Sequence, residues 1–193
     1  DYTSTLTCTL DTNQKAKHLL CILTKERLIS TLKYMLDEEE FLSPYGIRSL
    51  SKYHQEHPFT IQLEGQTHCI SYQPGESSYR LIAGGNSNWR GPVWLPLNFL
   101  IIEALQKYHY YYGESFKVEF PTRSGRWMTL GEVATQLSIR LISLFQKDPE
   151  GSRPIYASDS PFNQNEDWKD LLLFNEYFNG ETGVGHGASH QGW

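Results

Sequence analysis

Glu176 follows the apolar run Leu171-Leu172-Leu173-Phe174 and precedes Tyr177, Phe178 and the pair Asn179-Gly180. A carboxylate at such a junction is part-buried against rings and yet reaches a cleft, a setting that tunes its strength as an acid or base. A second constellation runs from Gly84 to Asn98, GGNSNWRGPVWLPLN. Its glycines let backbone approach a ligand closely. Trp89 and Trp94 offer flat apolar faces, while Asn86, Asn88, Arg90 and Asn98 supply donors for hydroxyls or a carboxylate. The competing reading has the two tryptophans stapling the loop onto the helix that follows, with Arg90 paired to an acid.

Rings plus paired carboxylates are the apparatus for breaking a glycosidic bond, in which one carboxyl protonates the leaving oxygen and another activates water or attacks. Asp37 to Glu40, Asp148 and Glu150 sit in charge-rich or helix-end contexts and read as solvated surface, whereas Glu103, Glu114 and Glu119 border helix ends or aromatic strands. His186 and His190 have the i, i+4 spacing of metal ligands on a helix, but Gly185 and Gly187 speak against a helix there and no HExxH accompanies them. Cys8, Cys21 and Cys69 form no CxxC pair, so no zinc site or disulfide framework is indicated, and no cofactor is expected.

The 17 Lys+Arg are scattered against 22 Asp+Glu, which argues against nucleic acid as a partner. No apolar run reaches the length of about 20 residues that spans a bilayer, so a soluble segment without a membrane partner is expected, with the cytoplasm favoured.

Amphipathic helices alternate with long aromatic loops. Thr24 caps a helix bearing Leu28, Ile29, Leu32, Met35 and Leu36, and Pro96 opens one whose face is Leu97, Leu100, Ile101, Ala104, Leu105 and Tyr108, ending at Gly113. Thr129 and Glu132 have capping-box spacing for a third, carrying Val133, Leu137, Leu141, Leu144 and Phe145 and stopped by Pro149 and Gly151. Phe59, Ile61 and Leu63 face Cys69, Ile70 and Tyr72 as a β-hairpin, within a stretch from Phe41 to Leu95 that holds no long helix. Residues 1–23 read as irregular.

GNSNWRGPVWLPLNFLIIE, EFLSPYGIRSLSKYH, FKVEFPTRSGRWMTLGEVA and LFNEYFNGETGVGHGASHQGW together resemble the C-terminal half of the catalytic domain of glycoside hydrolase family 63, in its mannosyl-oligosaccharide glucosidase-like group. The likeness covers Leu36 to Trp193. It implies a mainly α fold, part of an (α/α)6 toroid with site-bearing loops and a small hairpin, and an inverting mechanism on α-linked glucosides or related sugars. The family's general base falls on Glu176, with Tyr177, Phe178, Asn179, Thr182 and Gly183 matching its signature. The sugar-pocket segment carries over to Trp89, Arg90 and Trp94, and a second rim loop to Tyr45 and Arg48.

The family's general acid, an Asp on an upstream motif, has no match in residues 1–35. Residues 1–193 are therefore expected to be one portion of a catalytic domain whose upstream half is a missing partner, acting on an oligosaccharide or glycoside. A non-catalytic carbohydrate-binding or interaction module built on the same fold is the alternative. Two departures stand out. PTRSG carries Arg123 where a Gly is more usual, and SHQGW lacks a Thr between Gln191 and Gly192.

Overall fold

A computed structural model describes residues 6–10, 16–76 and 89–190, so Gly84, Asn86, Asn88 and the terminal Gln191 to Trp193 lie outside the described residues. Strands β1 (Leu6–Leu10) and β2 (Ala16–Leu20) pair antiparallel where the sequence suggested irregular chain. Helix α1 (Lys25–Met35) starts where Thr24 accepts a hydrogen bond from the Arg27 N–H, and it buries Leu28 and Leu32. Two short strands, β3 (Leu42–Ser43) and β4 (Gly46–Ile47), turn the SPYG loop back on itself. After a 3-10 turn at Lys52–Gln55 comes the expected hairpin of β5 (Phe59–Leu63) and β6 (Gln66–Ile70). Its turn residues Glu64 and Gly65 both have positive φ, the backbone of a tight two-residue hairpin turn.

Helix α2 (Leu95–Tyr112) is followed by β7 (Lys117–Glu119), β8 (Trp127–Thr129) and α3 (Leu130–Ser143). The capping box at Thr129 and Glu132 is present in both directions. α3 ends before Pro149, because its last residues tighten into i→i−3 hydrogen bonds at Leu144, Phe145 and Gln146. One-turn helix α4 (Pro161–Gln164) and the ribbon of β9 (Tyr177–Phe178) and β10 (Gly185–His186) complete the chain.

The core is a block in which α1, α2 and α3 bury Leu28, Leu32, Leu105, Val133, Ala134 and Leu137 against Phe116 and Phe120. α2 is rotated from the face its periodicity suggested. Leu100 is 58% exposed, while Asn98 is buried and Ile101, Ile102 and Tyr108 pack on the core. Apolar residues surround the first turns of α2, so periodicity alone does not choose a side. Asn98 does: it is drawn inward by hydrogen bonds to Ile47.

The expectation of a mainly α toroid is overturned. The described residues hold four helices, one of a single turn, and five separate two-stranded antiparallel ribbons. A ring of helix pairs needs a partner helix beside each helix, and between α1 and α2 the chain instead pairs its backbone in short ribbons. No helix among the described residues is long and apolar enough to cross a membrane.

The acidic run after α1 is a solvated face only at Glu38 and Glu39, which are exposed. Asp37 is 8% exposed and meets Arg123 Nη2 at 2.6 Å, Glu38 pairs with Arg140 at 3.0 Å, and Glu40 accepts a hydrogen bond from the Ser51 hydroxyl. Arg123 holds φ +71, a left-handed conformation in which Gly costs less, and its ion pair with Asp37 offsets part of that strain.

Candidate active site

Three of the loops singled out from the sequence are joined edge to edge. Val93, in WRGPVW, donates its N–H to Phe178 O at 2.8 Å and accepts from the Phe178 N–H at 2.9 Å. On its other side Val93 bridges antiparallel to Arg48 of the SPYGIRS loop, and Ser49 N–H donates to Pro92 O at 3.0 Å. Phe178 in turn pairs with Gly185 of β10. The result is a patch of sheet assembled from three distant segments, with Val93 and Phe178 fully buried within it.

That zipper brings the rings into line. Trp89 stacks on Trp94 with centroids 4.2 Å apart, and Trp94 stacks on Tyr177 at 5.2 Å. Trp89 is half exposed, while Trp94 and Tyr177 are buried, so the stack runs from surface to interior. Trp94 is thus held inside the loop, and Trp89 keeps an open face.

Glu176, the residue before Tyr177, is half-buried. Its backbone N–H donates to Ala188 O at 2.9 Å, and its Oε2 accepts from the Ala188 N–H at 3.3 Å. Gly187, at φ +68, makes room for the carboxylate: a Cβ there would lie 2.6 Å from Glu176 Oε2. The Tyr177 hydroxyl donates to Glu76 Oε1 at 2.9 Å, and the other oxygen of Glu76 lies 3.9 Å from His186 Nδ1. Burial, then the hydrogen bond to Glu76 and the charges of Glu76 and Glu176, push the Tyr177 phenol up. Burial pulls His186 down against the opposing pull of Glu76, which leaves its imidazole neutral near pH 7.

Arg48 is a structural hub. It is 3% exposed and donates to the carbonyls of Glu38, Glu40 and Leu42, to the Tyr72 hydroxyl at 3.0 Å and to Glu181 at 2.8 Å. Burial raises the Glu181 carboxyl, but the Tyr72 hydroxyl and Arg48 outweigh it, so the group sits below its ordinary range. Asn98 likewise has its amide engaged, accepting from Ile47 N–H at 2.7 Å and donating to the carbonyls of Ile47 and Trp94. Tyr45 packs against the buried cluster around Val93, and Gly183, at φ +80, abuts its ring.

Arg90 is 9% exposed, and its Nε and Nη2 have no hydrogen-bond partner among the described residues. Burial lowers the pKa of its guanidinium. The remaining acids lie elsewhere: Glu119 accepts from Gly125 N–H, Glu114 pairs with His109, and Glu103 with Lys107. His186 sits in β10, outside any helix. The residue that sequence reasoning missed is Glu76, whose only local signal is the Pro74-Gly75 turn before it.

A ring stack that runs from half-exposed Trp89 to buried Tyr177, next to half-buried Glu176, is the candidate site, and residues 18–193 match the family of mannosylglycerate hydrolase MGH1-like glycoside hydrolase domains. The chain belongs to that family, and the family-63-like assignment holds. An uncharacterised Saccharomyces cerevisiae protein is 53% identical over 178 residues, which are 91% of this chain and 16% of that protein. A probable mannosyl-oligosaccharide glucosidase of Schizosaccharomyces pombe is 35% identical over 79 residues, which are 41% of this chain and 7% of that protein. The chain therefore spans a small fraction of the length of the curated relatives it matches.

Proposed function

We propose that this domain supplies the general base and part of the sugar pocket for inverting hydrolysis of α-linked glucosides or related sugars. Glu176 takes the proton from water as the water attacks the anomeric carbon. The observation that carries this reading is the Val93–Phe178 zipper, which sets the Trp89–Trp94–Tyr177 stack beside Glu176 and so joins a sugar platform to a carboxylate.

Trp89 offers its exposed ring to a sugar face, and Trp94 and Tyr177 back it. Arg90 brings two N–H-bearing nitrogens, unpaired among the described residues, to the same loop, where a planar fork suits paired oxygens. Tyr45, Arg48 and Asn98 serve the pocket by holding its loops, because their contacts are already made within the fold. The proton donor, following the family resemblance, belongs to a part of the whole protein outside this chain.

The test is Glu176→Gln in the whole protein, assayed on α-glucosides, α-mannosides and glycosyl-glycerates. Loss of the base lowers kcat by about 10²–10⁴-fold with folding intact. Proton NMR of the first-formed sugar reads the stereochemistry, and an α-anomer released first from an α-glycoside sinks the base assignment. A protein that binds the panel but cleaves none of it is instead a binding module.

A further inference from the structure

We infer that Glu76 is a positioning residue for this site: it accepts the one hydrogen bond the Tyr177 hydroxyl can donate and so fixes the ring beside Glu176 while keeping that O–H off the Glu176 carboxylate. The inference rests on the reading of Glu176 as the base.

Glu76 is a surface residue by exposure, yet its oxygens turn inward, one to the Tyr177 hydroxyl at 2.9 Å and the other toward His186 Nδ1 at 3.9 Å. The segment that carries it is docked on the same ribbon. Pro74 O accepts from Gly180 N–H at 2.7 Å, and Gln73 N–H donates to Arg90 O at 2.6 Å. Gly75 lies so close that an added Cβ would stand 2.6 Å from Asn179 Nδ2 and 3.1 Å from His186 Nε2. Residues 73–76 therefore tie the WRGPVW loop to both arms of the β9–β10 ribbon.

Tyr177 is the pivot. It is 4% exposed, its ring is stacked on Trp94, and it directly follows Glu176. A phenol has a single O–H to donate. With that O–H directed at Glu76, Tyr177 cannot cap Glu176, whose Oε2 accepts from the Ala188 N–H and whose other oxygen is left to water. Without the Glu76 acceptor, the buried hydroxyl is free to turn to Glu176, whose Oε2 lies with the edge of the Tyr177 ring around one point, 2.6 and 2.8 Å from where a Cβ on Gly187 would stand. A base that accepts a phenol proton is both weakened and turned away from water.

The experiment is a double-mutant cycle in the whole protein with Glu76→Ala, Glu76→Gln and Tyr177→Phe, read by kcat, KM and Tm. Glu76→Ala is expected to lower kcat about tenfold with KM little changed, as for a misaligned catalytic group. Glu76→Gln, whose amide oxygen still accepts from the phenol, restores kcat to within about threefold of wild type. Glu76→Ala on the Tyr177→Phe background adds no further loss, because no hydroxyl is left to stray. Additive losses in kcat, or a Glu76→Ala enzyme with wild-type kcat, overturn the inference. If the wild type cleaves nothing on the panel, the reading of Glu176 fails by itself. Coupling in Tm then still decides the contact, and additivity in Tm removes Glu76 as the holder of Tyr177.

Discussion

The helical block and the loop junction that bears Glu176 lie side by side but are held by different forces. In the block, Leu28, Leu32, Leu105, Val133 and Leu137 are 4% exposed or less, and apolar burial does the holding. At the junction the buried apolar cluster is smaller, with Val93, Leu144, Ile155 and Phe178 at its centre, and the work falls to polar contacts between distant loops. Arg48 alone bonds to three carbonyls, a hydroxyl and a carboxylate. Burial tolerates approximate geometry, whereas a hydrogen-bonded hub does not. Side chains that must keep a carboxylate and a ring stack in register are accordingly fastened by the stricter of the two means.

Arg48→Met breaks this comparison most directly. Removing one partner of a buried pair leaves a charge uncompensated, at about 3 kcal/mol here, the low end of the usual range because Glu181 keeps part of its surface in water. Hydrogen exchange should speed up at Val93 and Phe178 while α1 to α3 stay protected, and kcat should drop at least about tenfold. Equal loss of protection in both regions would show one cooperative unit.

Leu137→Ala is the converse experiment. It removes a fully buried side chain from the block and costs about 2–5 kcal/mol. Turnover per folded molecule should be unchanged, so a fall in kcat at full occupancy of the native state would tie the block to the chemistry.

The smallest effect is a pH slope from His186. Burial depresses its folded pKa, so the unfolded chain binds the proton first. Stability contributed by the neutral imidazole is complete above the ordinary histidine value of about 6.5 and is lost as pH falls from there through the folded value. Thermal unfolding of His186→Gln should be less acid-sensitive below that pH than wild type. An unchanged slope would place the sensitivity elsewhere.

What was legible in the sequence follows the same division. Thr24, and Thr129 with Glu132, are local signals, and α1 and α3 begin where they say. Glu64-Gly65 declares the β5–β6 turn within two residues. The rotation of α2 was hidden because it depends on Asn98 finding Ile47, a contact with no local trace. β1 and β2 were missed because the alternation of Leu6-Thr7-Cys8-Thr9-Leu10 is short and its partner Ala16–Leu20, AKHLL, does not repeat it.

At the site, Glu176, Tyr177, Trp89 and Trp94 were visible as motif residues, and the structure brings them together. Asn98 was noticed for its chemistry and Arg48 through the family resemblance, yet their partners lie in other segments and could not be named in advance. Glu76 was overlooked, since an acid after Pro-Gly resembles any turn until Tyr177 is beside it. The toroid expected from resemblance failed for a related reason: motif similarity marked out segments but not the short ribbons that separate them.

The Val93–Phe178 rung also sets an order of events. α2 and α3 are separated by one short ribbon, so their packing closes a modest loop, but Val93 must wait for a partner much further along the chain. Closing that loop costs more chain entropy and is repaid only once the two-residue strand is in place, with Phe178 buried in its small cluster and Tyr177 stacked on Trp94. On the ribosome, the helices can pack while Phe178 is still to be made. The junction is therefore finished last, by the segment that carries Glu176.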